Sequence, residues 1–139
     1  MGMARGAEVI KGSFTVPLDA TGNYTISFGK SFDRYLYIVE MTEESKVALM
    51  QSGQDGNKTF ARVGLFPVPA IGDIHSSNYS HMSCRINPAT ETPIATVATT
   101  NGVTNSTIVI DVGDVTAAKT NHVYKGYSYN YTIVSLDNV

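Results

Sequence analysis

Charged side chains are scarce in this sequence: Asp, Glu, Lys and Arg make up 16% of its 139 residues, against roughly 25% in a typical soluble domain. The ten Lys and Arg residues are scattered singly from Arg5 to Lys125, and the formal net charge is −2. A nucleic-acid-binding surface needs clustered basic residues to neutralise phosphates. The composition therefore argues against nucleic acid as a partner.

Cysteine, tryptophan and long apolar segments are also nearly or entirely missing. Cys84 is the single cysteine, which excludes a disulfide framework within the chain, and there is no tryptophan. No stretch approaches the roughly 20 apolar residues of a membrane-spanning helix, so the sequence predicts no membrane partner. The opening sequence, MGMARGAEVIKG, lacks the apolar segment of a signal peptide. We expect a protein that is made in the cytoplasm and carries no signal peptide.

Alternation of apolar and polar residues is the strongest pattern that the sequence does contain. Between Gly12 and Met41, two alternating runs flank a turn-forming break, and a third run follows. Alternation places every second side chain on one face of a sheet, so each run predicts a strand. In the third run, residues 34–41, both alternating sets contain large apolar side chains, which predicts a strand at the centre of a sheet.

The rest of the sequence continues this pattern. Turn-forming residues recur at a spacing of about 8–12 residues, which is typical of a β-sandwich or jelly roll. We therefore predict an all-β fold: an antiparallel β-sandwich of about eight strands, with no helix of useful length. The predicted strands are residues 9–16, 24–28, 34–41, 47–50, 58–66, 94–99, 107–112 and 122–136.

The connections between these strands complete the predicted organisation. Residues 47–50 should form a hairpin with 58–66, and 94–99 should form another with 107–112. Residues 70–93 show no sustained period and are predicted to be the longest loop, a kind of segment that is usually functional or contacts a partner. We predict an N-terminal arm at residues 1–11 and a single sandwich domain at residues 12–139.

The long loop holds the best candidates for metal ligands. Their side chains are of the types that zinc accepts in a tetrahedral site. Their spacing, H-x5-H-x2-C, does not match a usual zinc framework, so we predict no metal site and no cofactor. These candidates are Asp73, His75, His81 and Cys84.

Candidate catalytic groups are no more specific. Cys84, His122 and Asp111 could form a nucleophilic set on paper, but no G-x-S-x-G turn occurs in the chain. Cys84 is better interpreted as a small buried apolar residue. Glu43 and Glu44 are adjacent, which favours a solvated corner over the separated carboxylates of a glycosidase. We predict that the protein is not an enzyme.

Two regions are candidates for contact with a ligand or partner. Ser, Asn and Tyr make adaptable binding loops, which points to residues 76–79 within the long loop. Tyrosines cluster in the last predicted strand, and tyrosine is enriched at interfaces. The alternative, which we favour for the tyrosines, is that they fill a core or an inter-subunit face. The candidate contacts are Asp73, His75, Ser76, Asn78, Tyr79, His81, Tyr127 and Tyr129.

Two segments resemble a known family. The run TISFGKSFDRYLYIVEM, with Phe28 and Phe32 at a corner between strands, resembles the strand pair of H-type lectin domains. The run YKGYSYNYTIVSL is similar to the aromatic last strand of those domains. The opening GSFT followed by an alternating strand resembles small structural and tail-associated proteins of bacteriophages. The resemblance implies a compact β-sandwich that is used as an oligomeric module.

These observations lead to two functional expectations. The first is a non-enzymatic virion structural protein: a β-sandwich module of a fibre, tail, collar or capsid decoration. Its partners would be copies of itself, in a homotrimer or hexamer, and other virion proteins, with residues 1–11 docked on a neighbouring subunit. The alternative is a carbohydrate-binding, lectin-like module that meets a cell-surface glycan through residues 73–81 or exposed tyrosines.

Overall fold

Two sheets and one helix make up the protein. The computed structural model describes residues 7–67, 79–100, 103–116 and 122–137 of the chain. Within those ranges the mainly extended chain confirms the predicted all-β sandwich. In chain order the elements are β1 (Val9–Thr15), β2 (Asn23–Ser27), β3 (Tyr35–Met41), α1 (Glu43–Gln51), β4 (Lys58–Phe66), β5 (Tyr79–Asn87), β6 (Thr92–Thr100), β7 (Thr107–Gly113), β8 (His122–Tyr124) and β9 (Ser128–Ser135).

The larger sheet has six antiparallel strands in the order β1-β9-β3-β4-β5-β6. β3 lies in its interior, between β9 and β4, as its two apolar sets predict. Val9–Lys11 pair with β9 as the first residues of β1, so this part of the predicted arm belongs to the sheet. Residues 1–6 of that arm lie outside the described residues.

The smaller sheet has the order β2-β7-β8, and it corrects two expectations. β7 pairs antiparallel with β2 but parallel with β8, so the sandwich is not wholly antiparallel. β6 and β7 do not form the predicted hairpin, since β6 pairs with β5 in the larger sheet. The sequence ground for that hairpin is the pair Asn101-Gly102, which favours a tight turn only locally, whereas strand partners are determined by which apolar faces can be buried together.

The core lies between the two sheets. The side chains of β3 that face it are Tyr35, Tyr37, Val39 and Met41, each at most 2% exposed. Ile108 and Ile110 of β7 and Ile26 of β2 close the core from the smaller sheet. Burial of these apolar surfaces is the main term that favours the folded state.

Buried hydroxyl groups bond across this core. The Tyr35 hydroxyl, on the larger sheet, donates to the carbonyl of Thr104 beside the smaller sheet at 2.5 Å. The hydroxyl of Tyr124, in β8, accepts from the backbone N–H of Thr59 in β4 at 2.8 Å. The register of β4 shifts between Thr59 and Ala61, so this bond satisfies an N–H beside a β-bulge. The Tyr129 hydroxyl accepts from the N–H of Tyr124 at 2.9 Å.

The helix α1 overturns the prediction of a strand at residues 47–50. Thr42 caps its first turn, where the side-chain oxygen accepts from the N–H of Ser45 at 3.2 Å. Ser45 and Leu49 are its two buried residues, and residues four apart share one face of a helix. The apolar run from Val47 to Met50 was too short to separate a strand from a helix by its period.

Two further boundaries differ from prediction. Residues 79–87, which were expected to lie in the long loop, form β5, where polar Ser83 and Arg85 face inward and obscure the pattern. The predicted last strand, 122–136, is two strands in different sheets. Gly126, with φ +81°, turns the chain between them, a backbone conformation that L side chains rarely adopt.

Candidate interaction surface

The outer face of the six-stranded sheet carries a second set of large apolar side chains. Because Tyr35, Tyr37 and Val39 face the core, alternation directs Leu36 and Ile38 to the opposite face. Three of their four partners in the neighbouring strands continue this apolar set. Leu36 lies between Val134 and Leu65, and Ile38 lies between Thr132 and Val63.

Strand register extends these positions across the sheet. Val9 pairs with Val134 in β9, and Met82 pairs with Val63 in β4. The result is a continuous apolar area over β1, β9, β3, β4 and β5 on the face that points away from the core. We call it the outer patch, and it consists of Val9, Leu36, Ile38, Val63, Leu65, Met82 and Val134.

Three members of the outer patch are strongly exposed: Val9 at 48%, Met82 at 47% and Leu65 at 39%. The other four are half-buried. Single exposed apolar residues are normal, but a contiguous apolar area marks a surface that contacts another molecule.

Polar residues lie along one side of the outer patch. Register partners form rows across the sheet, and the row that starts at Ser13 contains Asn130 and Glu40. The Ser13 hydroxyl donates to the Asn130 side chain at 2.8 Å. Lys11 lies at the β1 edge. In the three rows that begin at Val9, Lys11 and Ser13, the charged residues are Lys11 and Glu40, and the other positions of these rows are uncharged.

Cys84 lies on the same face as the outer patch, two positions along β5 from Met82. It pairs with Ala61 on one side and Ala95 on the other, and it is half-buried. The expectation that it is a small buried residue thus holds only in part. The reactivity of its thiol towards a reagent in solution therefore measures whether this face is exposed to solvent.

A polar cleft of about 430 Å³ lies elsewhere, between the first turn of α1 and the start of β9. Ser45 and Ser128 fix its floor, since the N–H of Ser128 donates to the Ser45 hydroxyl at 2.8 Å. Tyr127 is half-buried beside it, with its ring edge-on to Tyr124 at 6.3 Å. Partial burial raises the pKa of Tyr127 above the ordinary 10.0. The lining residues are Thr42, Glu44, Ser45, Ala48, Gly126, Tyr127 and Ser128.

Half of the predicted contact residues lie outside the described residues, namely Asp73, His75, Ser76 and Asn78. Tyr79 and His81 have backbone positions in β5, paired with Thr100 and Ala98 of β6. Tyr127 lines the polar cleft. Tyr129 is 2% exposed and packs in the core against Phe14, with ring centroids 5.4 Å apart, in agreement with the packing alternative.

The hypothetical nucleophilic set is not assembled. Asp111 and His122 are register partners in the smaller sheet, whereas Cys84 lies on the outer face of the larger one. Among residues 7–67, 79–100, 103–116 and 122–137, no three His, Cys, Asp or Glu side chains are placed to hold a metal ion. Over the same ranges, no helix has the length and apolar character needed to cross a bilayer.

Sequence reasoning missed most of the outer patch, although signals for it were present. The apolar character of Leu36 and Ile38 was recognised, but its continuation on the neighbouring strands was not. Met82, Cys84 and Ile86 alternate with polar residues in the stretch that was interpreted as a loop. Only the register of the sheet shows that Met82 adjoins Val63 and that Cys84 adjoins Ala61.

Comparison with known proteins identifies no matching protein family, no matching curated protein and no matching solved structure.

Proposed function

We propose that this protein is a non-enzymatic structural protein of a bacteriophage virion, a β-sandwich module that assembles through the outer face of its six-stranded sheet. The observation that carries the proposal is the outer patch. A sandwich needs one apolar face per sheet to close its own core, and this sheet has two. The second face is therefore available for burial against neighbouring subunits in a particle.

Burial of this face supplies the free energy of assembly. Complete burial of one Leu, Ile, Val or Met side chain contributes roughly 1.5–3 kcal/mol, and the outer patch offers seven such side chains, several of them already half-buried. The low charge of the face is consistent with this role, because few charges have to be desolvated when it is covered. The resemblance of the GSFT opening to small phage structural proteins supports the choice of a virion as the assembly.

Leu65→Glu tests the proposal in the native particle. It places a charge within the outer patch at a position that is 39% exposed, so folding should tolerate it while assembly should not. The matched control is Leu18→Glu, because Leu18 is 79% exposed in the connection between β1 and β2, away from the outer patch. We expect Leu65→Glu to be excluded from particles and Leu18→Glu to be incorporated. Equal incorporation of both variants would refute the proposal.

The polar cleft favours a second candidate function, the binding of a cell-surface glycan. Its volume of about 430 Å³ falls in the range of small-ligand sites, roughly 300–1,000 Å³. Tyr127 offers part of an aromatic ring, and Glu44 and Thr42 offer oxygen atoms that can bond to sugar hydroxyls. Isothermal titration with a glycan panel tests this. We expect binding with a dissociation constant on the order of 1 mM. Tyr127→Ala should abolish this binding. Tyr24→Ala should keep it, because the Tyr24 ring of the natural chain stacks on Phe14 and does not line the cleft.

A further inference from the structure

We propose that the outer patch is covered by the same patch of a second copy of this chain, in a two-fold, face-to-face dimer that is the building unit of the assembly. This inference rests on the proposed function, since it names which neighbour covers the face. In this dimer the six-stranded sheets of the two copies pack against each other, and the two smaller sheets lie on the outside.

The size of the face matches the size of a dimer interface. Six strands at a spacing of about 4.8 Å, with four outward positions per strand about 6.7 Å apart, give a face on the order of 29 Å by 27 Å. That is about 780 Å², close to the roughly 800 Å² that each partner contributes to a standard stable interface. A second copy presents a face of equal extent and equal chemistry.

The distribution of side chains is that of a self-complementary interface. Leu36, Ile38 and Val63 occupy adjacent positions in the interior strands β3 and β4, so the first two rows of the face are apolar across its interior strands. Lys11 lies on the edge strand β1, and Glu40 lies in the polar row at the side. Stable interfaces likewise combine an apolar area with polar residues that border it.

The edges of the sheet are less suited to association. Both edge strands carry features that discourage the addition of another strand: Lys11 in β1 and Pro93, which has no N–H to donate, in β6. Contact through the face is therefore favoured over extension of the sheet.

A face-to-face contact restricts the symmetry of the assembly. The same residues are buried on both sides, so the contact is isologous and is complete with two copies. A hexamer can then be built from three dimers by further contacts, whereas a trimer that uses this face alone cannot. The expected homotrimer or hexamer is thereby narrowed to a hexamer made of three dimers, or to the dimer itself.

Cys84 provides a test that needs no substitution, because it is the single cysteine and lies on the face that would be buried. Molar mass by light scattering and the reactivity of the thiol towards a disulfide reagent are measured over a dilution series from about 1 µM to about 1 mM. We expect a mass of twice the 15.0 kDa chain at high concentration. The thiol should react at least about tenfold more slowly in the dimer than in the dilute monomer, because access requires dissociation.

Two patch variants and one control complete the experiment. Leu65→Glu and Met82→Glu should remain monomeric with a reactive thiol, and Leu18→Glu should dimerise like the natural chain. Circular dichroism checks that each variant is folded. Because two patch positions are substituted separately, the test remains possible if one of the two variants does not fold. A dimer whose thiol is protected and whose formation both variants block supports the inference.

The failure of the inference is distinguishable from the failure of the proposed function. If the natural chain is monomeric throughout, or forms a trimer, or dimerises with a fully reactive thiol, the second copy does not cover this face. If Leu65→Glu is nevertheless excluded from particles, the proposed function stands and a different virion protein covers the outer patch. If that variant is incorporated normally, both proposals are refuted.

Discussion

Tyr124 and Tyr129 show how single residues connect the two sheets. Both rings are at most 2% exposed, and both hydroxyl oxygens accept hydrogen bonds from backbone N–H groups. A buried N–H without a partner costs free energy, so these phenols do more than fill volume. The sequence predicted that tyrosines fill a core, but not these bonds, because the N–H of Thr59 becomes available only beside an irregularity in β4.

Tyr124→Phe should therefore destabilise the protein by about 1–3 kcal/mol, since it leaves the buried N–H of Thr59 without this acceptor. The free energy of unfolding is measured by urea denaturation. Tyr24→Phe is the control, because Tyr24 is half-buried and its ring stacks on Phe14 with centroids 4.5 Å apart. The control should change the free energy by no more than about 0.5 kcal/mol. Equal effects of the two substitutions would contradict the role given to the Tyr124 hydroxyl.

At the scale of elements, prediction succeeded where alternation coincides with a buried face and failed elsewhere. β3 and β4 were predicted within one residue of their ends, because β3 has a regular inward set and the outward Ala61, Val63 and Leu65 of β4 alternate with inward residues. β5 was missed, since its apolar residues Met82 and Cys84 face outward and its inward set contains Ser83 and Arg85. The division between β8 and β9 was missed because the tyrosine pattern continues through the turn at Gly126.

The polar cleft was beyond prediction for a related reason. Its lining comes from α1 and from the start of β9, two segments far apart in the sequence. Tyr127 was proposed as a contact from its residue type alone. The position of Ser45 opposite Ser128 depends on a helix that the short apolar run did not reveal.

Thr42→Ala should shorten or weaken α1. The Thr42 side chain accepts from the N–H of Ser45, and removal of an N-cap of this type costs roughly 0.5–2 kcal/mol. Thr42→Ser is the matched variant, because it keeps the capping oxygen, and it should behave like the natural chain. Urea denaturation followed by circular dichroism measures both. If Ser and Ala were equally destabilising at this position, the cap would not be the cause.

At the scale of the whole molecule, buried phenols set the response to alkaline pH. Burial raises the pKa of Tyr124 and of Tyr129 above the 10.0 of an exposed tyrosine. The folded state therefore holds these protons more tightly than the unfolded state. Their contribution to stability is complete below pH 10 and is lost as the pH rises above it.

Lys58 opposes this trend over a different interval. Its side chain is buried, with the ammonium donating to the carbonyl of Gly56 at 3.1 Å, and burial lowers its pKa below 10.5. Its contribution makes stability increase with pH, but only up to about pH 10.5, where the unfolded state also loses the proton. Above that value the contribution of Lys58 no longer offsets that of the two tyrosines.

We therefore expect the free energy of unfolding to decrease with pH above about pH 10.5, with a midpoint in urea that falls at each higher pH. Tyr129→Phe should make this decrease less steep, because it removes one of the phenols. The absorbance of tyrosinate, followed in the same titration, should increase mainly in the pH range in which the protein unfolds. A free energy that stays constant up to about pH 12 would show that these phenols titrate normally in the folded state.

The position of β9 has a consequence for the synthesis of the chain. β9 is inserted between β1 and β3, and its Asn130 meets Ser13 across a separation of 117 residues. Until residues 128–135 leave the ribosome, β1 has no place in the sheet and one side of β3 has no partner. Such distant pairings slow folding, and the unpaired strands can meet other chains in the interval. The nascent protein must therefore keep β1 and β3 apart until β9 has been made, and its larger sheet can be completed only after residues 128–135 have been translated.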